Sequence, residues 1–200
     1  MNENVKKRLA IGTALAAGTV LILVLYLPAL RPNHGDTTGE GVAAIGGAFA
    51  LTDHTGAEVT EDILLGHYSL IYFGFTYCPD ICPLTLQVVA DAIDLLPGQK
   101  SELVQPIFIS LDPERDTVNV MKSYVEYFHP RMIGLTGTVD QITDAANAYR
   151  VFFQKRDFEV DYTVDHSGFL YLMNRSGRYI DHFGKDITIE ELTGRLRDLL

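Results

Sequence analysis

The sequence predicts an α/β domain, a mixed sheet flanked by helices with an added N-terminal hairpin, behind one transmembrane helix. Three observations carry this. Short, almost unbroken apolar runs recur at strand length, as in 68–75 (YSLIYFGF) and 104–111 (VQPIFISL), the pattern of strands buried on both faces. Segments with helical periodicity alternate with them. Ahead of both, Leu9 to Leu30 is a stretch without a charged residue.

That first stretch is 22 residues long and as a helix reaches ~33 Å at ~1.5 Å per residue, enough for a hydrocarbon core of ~30 Å. Lys6, Lys7 and Arg8 precede it, which puts the N-terminus on the cytoplasmic side. Residues 1–8 are then a cytoplasmic N-terminus and 9–30 a transmembrane anchor. A cleaved signal peptide is the rival reading, but the apolar stretch is longer than a usual signal core, with no clean small-x-small site after it. Seven residues before Arg8 leave no room for a mitochondrial presequence, so the expected location is a bacterial inner membrane, the domain facing the periplasm. Residues 31–47 (RPNHGDTTGEGVAAIGG) are Gly- and Thr-rich and read as a flexible tether to a domain at 48–200.

Within the domain, 48–60 suits a hairpin around His54-Thr55-Gly56. The 68–75 strand runs into Thr76-Tyr77-Cys78. A helix is expected over 83–96, with Pro83 in its first turn, an apolar face of Leu84, Val88, Ala92 and Leu95, and a stop at Pro97-Gly98. The 104–111 strand leads through a polar loop to a helix over 117–128, then a short strand over 132–135. Thr138 with Gln141, and Thr188 with Glu191, have capping-box spacing and open two more helices. Between those helices, 168–174 and 178–183 read as paired strands.

Composition narrows the function classes. The chain of 200 residues is 47% hydrophobic and 21% charged, a globular balance. From Arg31 onward there are 13 basic and 25 acidic side chains, a net charge of −12. Such a domain repels a phosphate backbone, which argues against nucleic acid as a partner. The two cysteines, Cys78 and Cys82, are too few for a disulfide scaffold, so their shared loop must explain them.

That loop, CPDIC, sets two thiols four residues apart where a strand hands over to a helix. A strand, then cysteines, then a helix beginning at the second cysteine is thioredoxin-like topology. The helix N-terminus favours thiolate over thiol, the form that binds metal or attacks a disulfide. A structural disulfide is the plain alternative, but so small a loop removes little chain entropy. A thioredoxin-like redox pair usually has two intervening residues, not three. A reactive pair follows; its task does not.

The string YFGFTYCPDICP at 72–83 resembles the signature of the SCO/SenC family of copper proteins. Three further stretches are similar in the same order: FISLDPERDT at 108–117, FHPRMIGLTGT at 128–138, and VDHS at 164–167 with Tyr171-Leu172. The resemblance implies a thioredoxin-like fold, a single N-terminal span, and copper, as Cu(I) or Cu(II), bound by Cys78, Cys82 and His166. It implies a metallochaperone assisting assembly of the copper site of cytochrome c oxidase, partnered by the oxidase subunit that carries that site and by other copper carriers or thiol reductants. The alternative is a thiol–disulfide reductase that keeps the oxidase's copper-site cysteines reduced, with Cys78 and Cys82 as the reacting pair. A peroxidase using Thr76 and Arg115, and a membrane-bound redox or copper sensor, are more distant readings.

Two thiolates and an imidazole make a soft site suited to Cu(I), though zinc can use the same donors. His34, His54, His67, His129 and His182 are expected as ordinary surface or core residues, and Met121, Met132 and Met173 as core filling. Asp116 is expected as a helix N-cap, with partner docking or support of the site as the other role open to it and Asp112. Asp165 is a candidate to orient the imidazole, and Tyr77 to shield the site.

Overall fold

The computed structural model describes residues 45–200, and the expected anchor and cytoplasmic segment lie outside them. Among the described residues no helix is long and apolar enough to cross a membrane. Residues 45–47, expected as the end of the tether, are bonded into the domain: the Gly46 amide donates to the Ala148 carbonyl at 2.9 Å.

The strands are β1 (Ala50–Asp53), β2 (Glu58–Thr60), β3 (Tyr68–Gly74), β4 (Val104–Ser110), β5 (Ile133–Thr136), β6 (Phe153–Asp157), β7 (Tyr162–His166), β8 (Leu170–Met173) and β9 (Tyr179–Phe183). The helices are α1 (Ile81–Asp94), α2 (Val118–Phe128), α3 (Val139–Ala148) and α4 (Ile189–Leu199). Seven strands form one mixed sheet in the order β2-β1-β5-β4-β3-β8-β9, while β6 and β7 form a separate two-stranded ribbon. β3 is parallel to β4, and β4 to β5; β8 and the hairpin strand β1 join antiparallel.

The central strands show why the apolar runs are unbroken. Leu70 and Tyr72 of β3 face one core with Phe108 of β4; Ile71 and Phe73 face the other with Ile107 and Ile109. Alternate residues point to opposite faces, so a strand covered on both sides needs apolar residues throughout. Helices α1, α2 and α4 cover the first face through Leu86, Val89 and Ile93, Met121 and Val125, and Leu192 and Leu196. Helix α3 covers the second through Ile142, Ala145 and Ala146. Each of the larger of these side chains contributes roughly 1.5–3 kcal/mol on burial. The three methionines are buried as expected.

Both capping boxes form: Thr138 with Gln141 opens α3, and Thr188 with Glu191 opens α4. Three expectations change. Helix α1 begins at Ile81, and it turns Cys82, Leu86, Val89 and Ile93 inward while leaving Leu84 and Leu95 more than half exposed. Thr117, not Asp116, caps α2, its hydroxyl accepting from the Val120 amide. The β6–β7 ribbon was not expected at all, because its residues are largely polar or exposed on both faces. A lone ribbon is marginal in water; this one is held by Val164, which packs into the α3-side core with Phe153 and Tyr162.

Candidate metal centre

The parallel strands β3 and β4 end at the same edge, Gly74 being paired with Ser110. Ligand sites gather beyond the carboxyl ends of such strands, and the two following loops meet through Asp116. Its fully buried carboxylate accepts from the Thr76 amide at 3.0 Å, the Thr76 hydroxyl at 2.5 Å and the Ser110 hydroxyl at 2.6 Å, while its carbonyl accepts from Thr136. The acid read as a helix cap is thus an internal clamp on the residue two positions before Cys78.

Both cysteines are free thiols, in unlike settings. Cys78 stands outside α1, in a turn closed by its amide to the Phe75 carbonyl at 3.2 Å, and is half-buried. Cys82 lies in the first turn of α1 and is fully buried. Gly74 makes room for it: a Cβ there would come within 2.7 Å of the Cys82 sulfur. Charge follows burial. The Cys78 sulfur is lowered to about 3, first by a hydrogen bond from the Cys82 thiol and then by His166 and the amides of Asp80 and Cys82, against the cost of burial. Cys82 is pushed up, first by that same bond to Cys78 and then by burial. One proton shared between two sulfurs stays on the one that water cannot reach. The asymmetry favours the thiolate at Cys78 and the thiol at Cys82.

His166 is the last residue of β7 rather than the mouth of the next strand, and it reaches the pair. Its Nε2 lies 3.7 Å from the Cys82 sulfur, and it adjoins Cys78. Its Nδ1 donates to the Ser167 carbonyl at 3.0 Å, since a carbonyl only accepts, and Nε2 is the ring nitrogen turned to the sulfurs. Edge-on contacts with Tyr72 and Phe75 hold the ring. Among the described residues no three His, Cys, Asp or Glu side chains are closed around one point as a metal cage.

The flanking candidates sort clearly. Asp165 does not orient the imidazole: as the neighbour of His166 on a strand it points the other way and pairs with Arg156. Asp112 supports the ribbon, accepting from Arg115 at 2.5 Å and from the Tyr162 hydroxyl at 2.9 Å. Tyr77 is 63% exposed, lying under the Arg115 guanidinium at 4.7 Å rather than covering the thiols. His54 accepts from the Gly134 amide, His129 is buried beside Asp94, and His182 meets Tyr179. His34 lies outside the described residues.

Arg115 is what the sequence hid. From the loop after β4 it binds Asp112, Asp161 at 3.2 Å and the Tyr162 carbonyl at 3.0 Å, and stacks on the Tyr162 ring at 3.7 Å. It pins the ribbon that carries His166 to the loops that carry the thiols. In the sequence Arg115 is a candidate only for the peroxidase reading, with no local signal for this role.

A family model described as SCO1/SenC matches residues 37–200. An SCO2-like protein of Rickettsia prowazekii is 39% identical over 197 residues, 96% of each chain. The solved structure of Arabidopsis thaliana ScoI with copper bound shares 44% identity at a TM-score of 0.72, over 78% of this chain and 98% of that one. Bradyrhizobium japonicum ScoI with copper bound shares 42% identity at the same TM-score, over 78% and 100%. The sheet and its helices are therefore the thioredoxin-like fold expected, and the chain belongs to the SCO1/SenC family.

Proposed function

We propose that this protein is a copper-binding metallochaperone for the copper site of cytochrome c oxidase, holding its cargo with Cys78, Cys82 and His166. The observation that carries the reading is the 3.7 Å between the Cys82 sulfur and the His166 Nε2. Donors bound at ~2.3 Å through sulfur and ~2.0 Å through nitrogen, ~120° apart, stand ~3.7 Å from each other. The fold thus sets two donors at the spacing a shared metal ion needs. Cys78 adjoins the pair, and its shift is toward the thiolate, the form a metal requires. The copper bound in the Arabidopsis and Bradyrhizobium relatives supports the choice of metal, as does the softness of the donors.

The uncharged stretch from Leu9 to Leu30 behind Lys6, Lys7 and Arg8 supports a single inner-membrane anchor with the domain on the periplasmic side. The partners are then the oxidase subunit that receives copper and the carriers or reductants that charge the site.

Thiol–disulfide exchange by the same pair is the second reading, favoured by the asymmetry of the thiols. Cys78 is half-buried and shifted toward the thiolate while Cys82 is enclosed and shifted toward the thiol, the division between an attacking and a resolving sulfur. The peroxidase reading loses ground, because the Thr76 hydroxyl is committed to Asp116 and Arg115 to Asp112 and the ribbon.

Titration of the reduced full-length chain with Cu(I), repeated on H166A, tests the assignment. One copper per chain is expected, with binding weakened by more than about 100-fold in H166A, since loss of a ligand exceeds the 10–100-fold typical of its supports. Equal affinity in the two proteins excludes the three-donor site. Disulfide exchange retained without any copper binding selects the reductase.

A further inference from the structure

Helix α2 buries Met121 and Val125 against the sheet, and a surface helix ordinarily turns charged residues to its other side. Here Lys122 and Glu126 are the only charges along the helix. A second face of Asn119, Val120, Ser123, Tyr124 and Tyr127 lines a groove of about 640 Å³, with Tyr77 as its other wall. No residue lining the groove is charged, on a domain whose net charge from Arg31 onward is −12. Tyr127 is 81% exposed, and Tyr77 and Val120 are exposed with it. A concave apolar surface left to water marks a place of association.

Its walls are held in place. Tyr124 packs against Phe108 and Phe128 with ring centroids 5.3 and 5.1 Å away, and Tyr127 lies edge-on to Phe128 at 5.2 Å. Tyr77 is held by the Arg115 guanidinium, and Thr76, also on the lining, by Asp116. Fixed tyrosines are the residues on which interface energies concentrate. Tyr77 is also peptide-bonded to Cys78, so an occupant of the groove lies beside the outer sulfur.

Charge selects among occupants. A second copy brings another strongly acidic domain, and an anionic bilayer brings like charge, so both are repelled. A protein that sets an aliphatic or aromatic anchor among Lys and Arg is drawn to the domain and fits the uncharged groove. We propose that the groove between α2 and Tyr77 docks the protein that receives the copper, through an apolar anchor rimmed by basic residues. This rests on the copper reading above. Docking there lays the recipient's own ligands against Cys78.

The probe is the copper-free oxidase subunit that carries the acceptor site, in detergent micelles. Full-length parent, Y127A and S123W are loaded with Cu(I), and transfer is followed to that subunit and to the small chelator bathocuproine disulfonate. Y127A removes an exposed anchor ring, S123W fills the groove, and neither alters a copper ligand. The subunit concentration giving half-maximal transfer rate should rise at least about 10-fold in both variants. Copper affinity and transfer to the chelator should stay at the parent's values. On the flank of the groove, E126K should raise that concentration and K122E lower it. An unchanged concentration in Y127A and S123W overturns the docking site. So does equal slowing toward the chelator, which moves the effect into the metal centre, and so does the reverse response to the charge changes. A parent dimer that Y127A dissociates in sedimentation gives the groove to a second copy, and phosphatidylglycerol-vesicle binding that Y127A abolishes gives it to lipid; either overturns the proposal. A parent that binds no copper removes the copper reading and this one together, whereas copper binding with transfer indifferent to the groove removes this one alone.

Discussion

The central sheet and the β6–β7 ribbon each deliver part of one site, by opposite means. Strand β3 and helix α1 hold the sulfurs with buried apolar packing: Cys82 sits among Tyr72, Leu86, Phe108 and Leu170. The ribbon brings His166 with one fully engaged side chain, Val164, and otherwise with polar contacts at its surface. Packing fixes position through many weak contacts; a polar pin does so through few strong ones. The sheet side should therefore respond to substitution in stability, the ribbon side in affinity.

The largest effect is expected on the sheet side. D116A strips the acceptor from the Thr76 amide and hydroxyl and from Ser110, leaving buried donors unpaired, and should lower unfolding free energy by about 3 kcal/mol in denaturant titration. D116N sharpens this through pH. Burial raises the Asp116 carboxyl above its ordinary 3.8, outweighing the bonds from Ser110 and Thr76 that lower it. A raised carboxyl stabilises the fold fully below its unfolded value and loses that share as pH climbs through the folded value. The parent's advantage over D116N should accordingly be widest near pH 3 and narrow toward pH 7.

R115A strikes the ribbon side. It frees Asp161 and Tyr162 and should weaken copper binding by about 10-fold with a much smaller change in melting temperature. R115K should not restore affinity, because an ammonium lacks the planar fork and the stacking surface. Equal losses of stability and affinity in R115A would erase the distinction between the two regions. Lys155, on Glu114 and Tyr162 at the exposed side, provides the contrast: K155A should leave copper affinity unchanged.

The smallest effect concerns rates alone. Cys78 lies at about 3, chiefly through the Cys82 thiol, so it stays a thiolate above that value. Its alkylation by iodoacetamide should be nearly flat from pH 5 to 8 in the metal-free reduced protein. In C82A, which removes the donor, the rate should climb with pH over that range, as for an ordinary thiol.

The same contrast governs what could be read from the sequence. Strands β3 and β4 were legible because burial on both faces demands an apolar residue at every position, and both capping boxes because three-residue spacing holds the whole signal. The cysteine pair announced itself by spacing. The ribbon did not, since QKRDFEVDYT satisfies no buried face and its pairing is stabilised by residues far along the chain. His166 was singled out only by resemblance, being one of six histidines with no local mark of its own. Asp116 misled because a capping acid and an internal clamp look alike in sequence; its partners Thr76 and Ser110 are 40 and 6 residues away. The apolar face of α1 was misassigned because apolar residues occur on both of its sides at helical spacing, and the stripe through Cys82, Leu86, Val89 and Ile93 is the one buried.

Gly74 carries a hydrogen where any other residue would carry a carbon 2.7 Å from sulfur. Cys82 is consequently seated against main chain on one side and buried in the core with Tyr72, Leu86, Phe108 and Leu170. With Cys78 half-buried and Cys82 enclosed, a donor or recipient approaching from solvent meets the outer sulfur first.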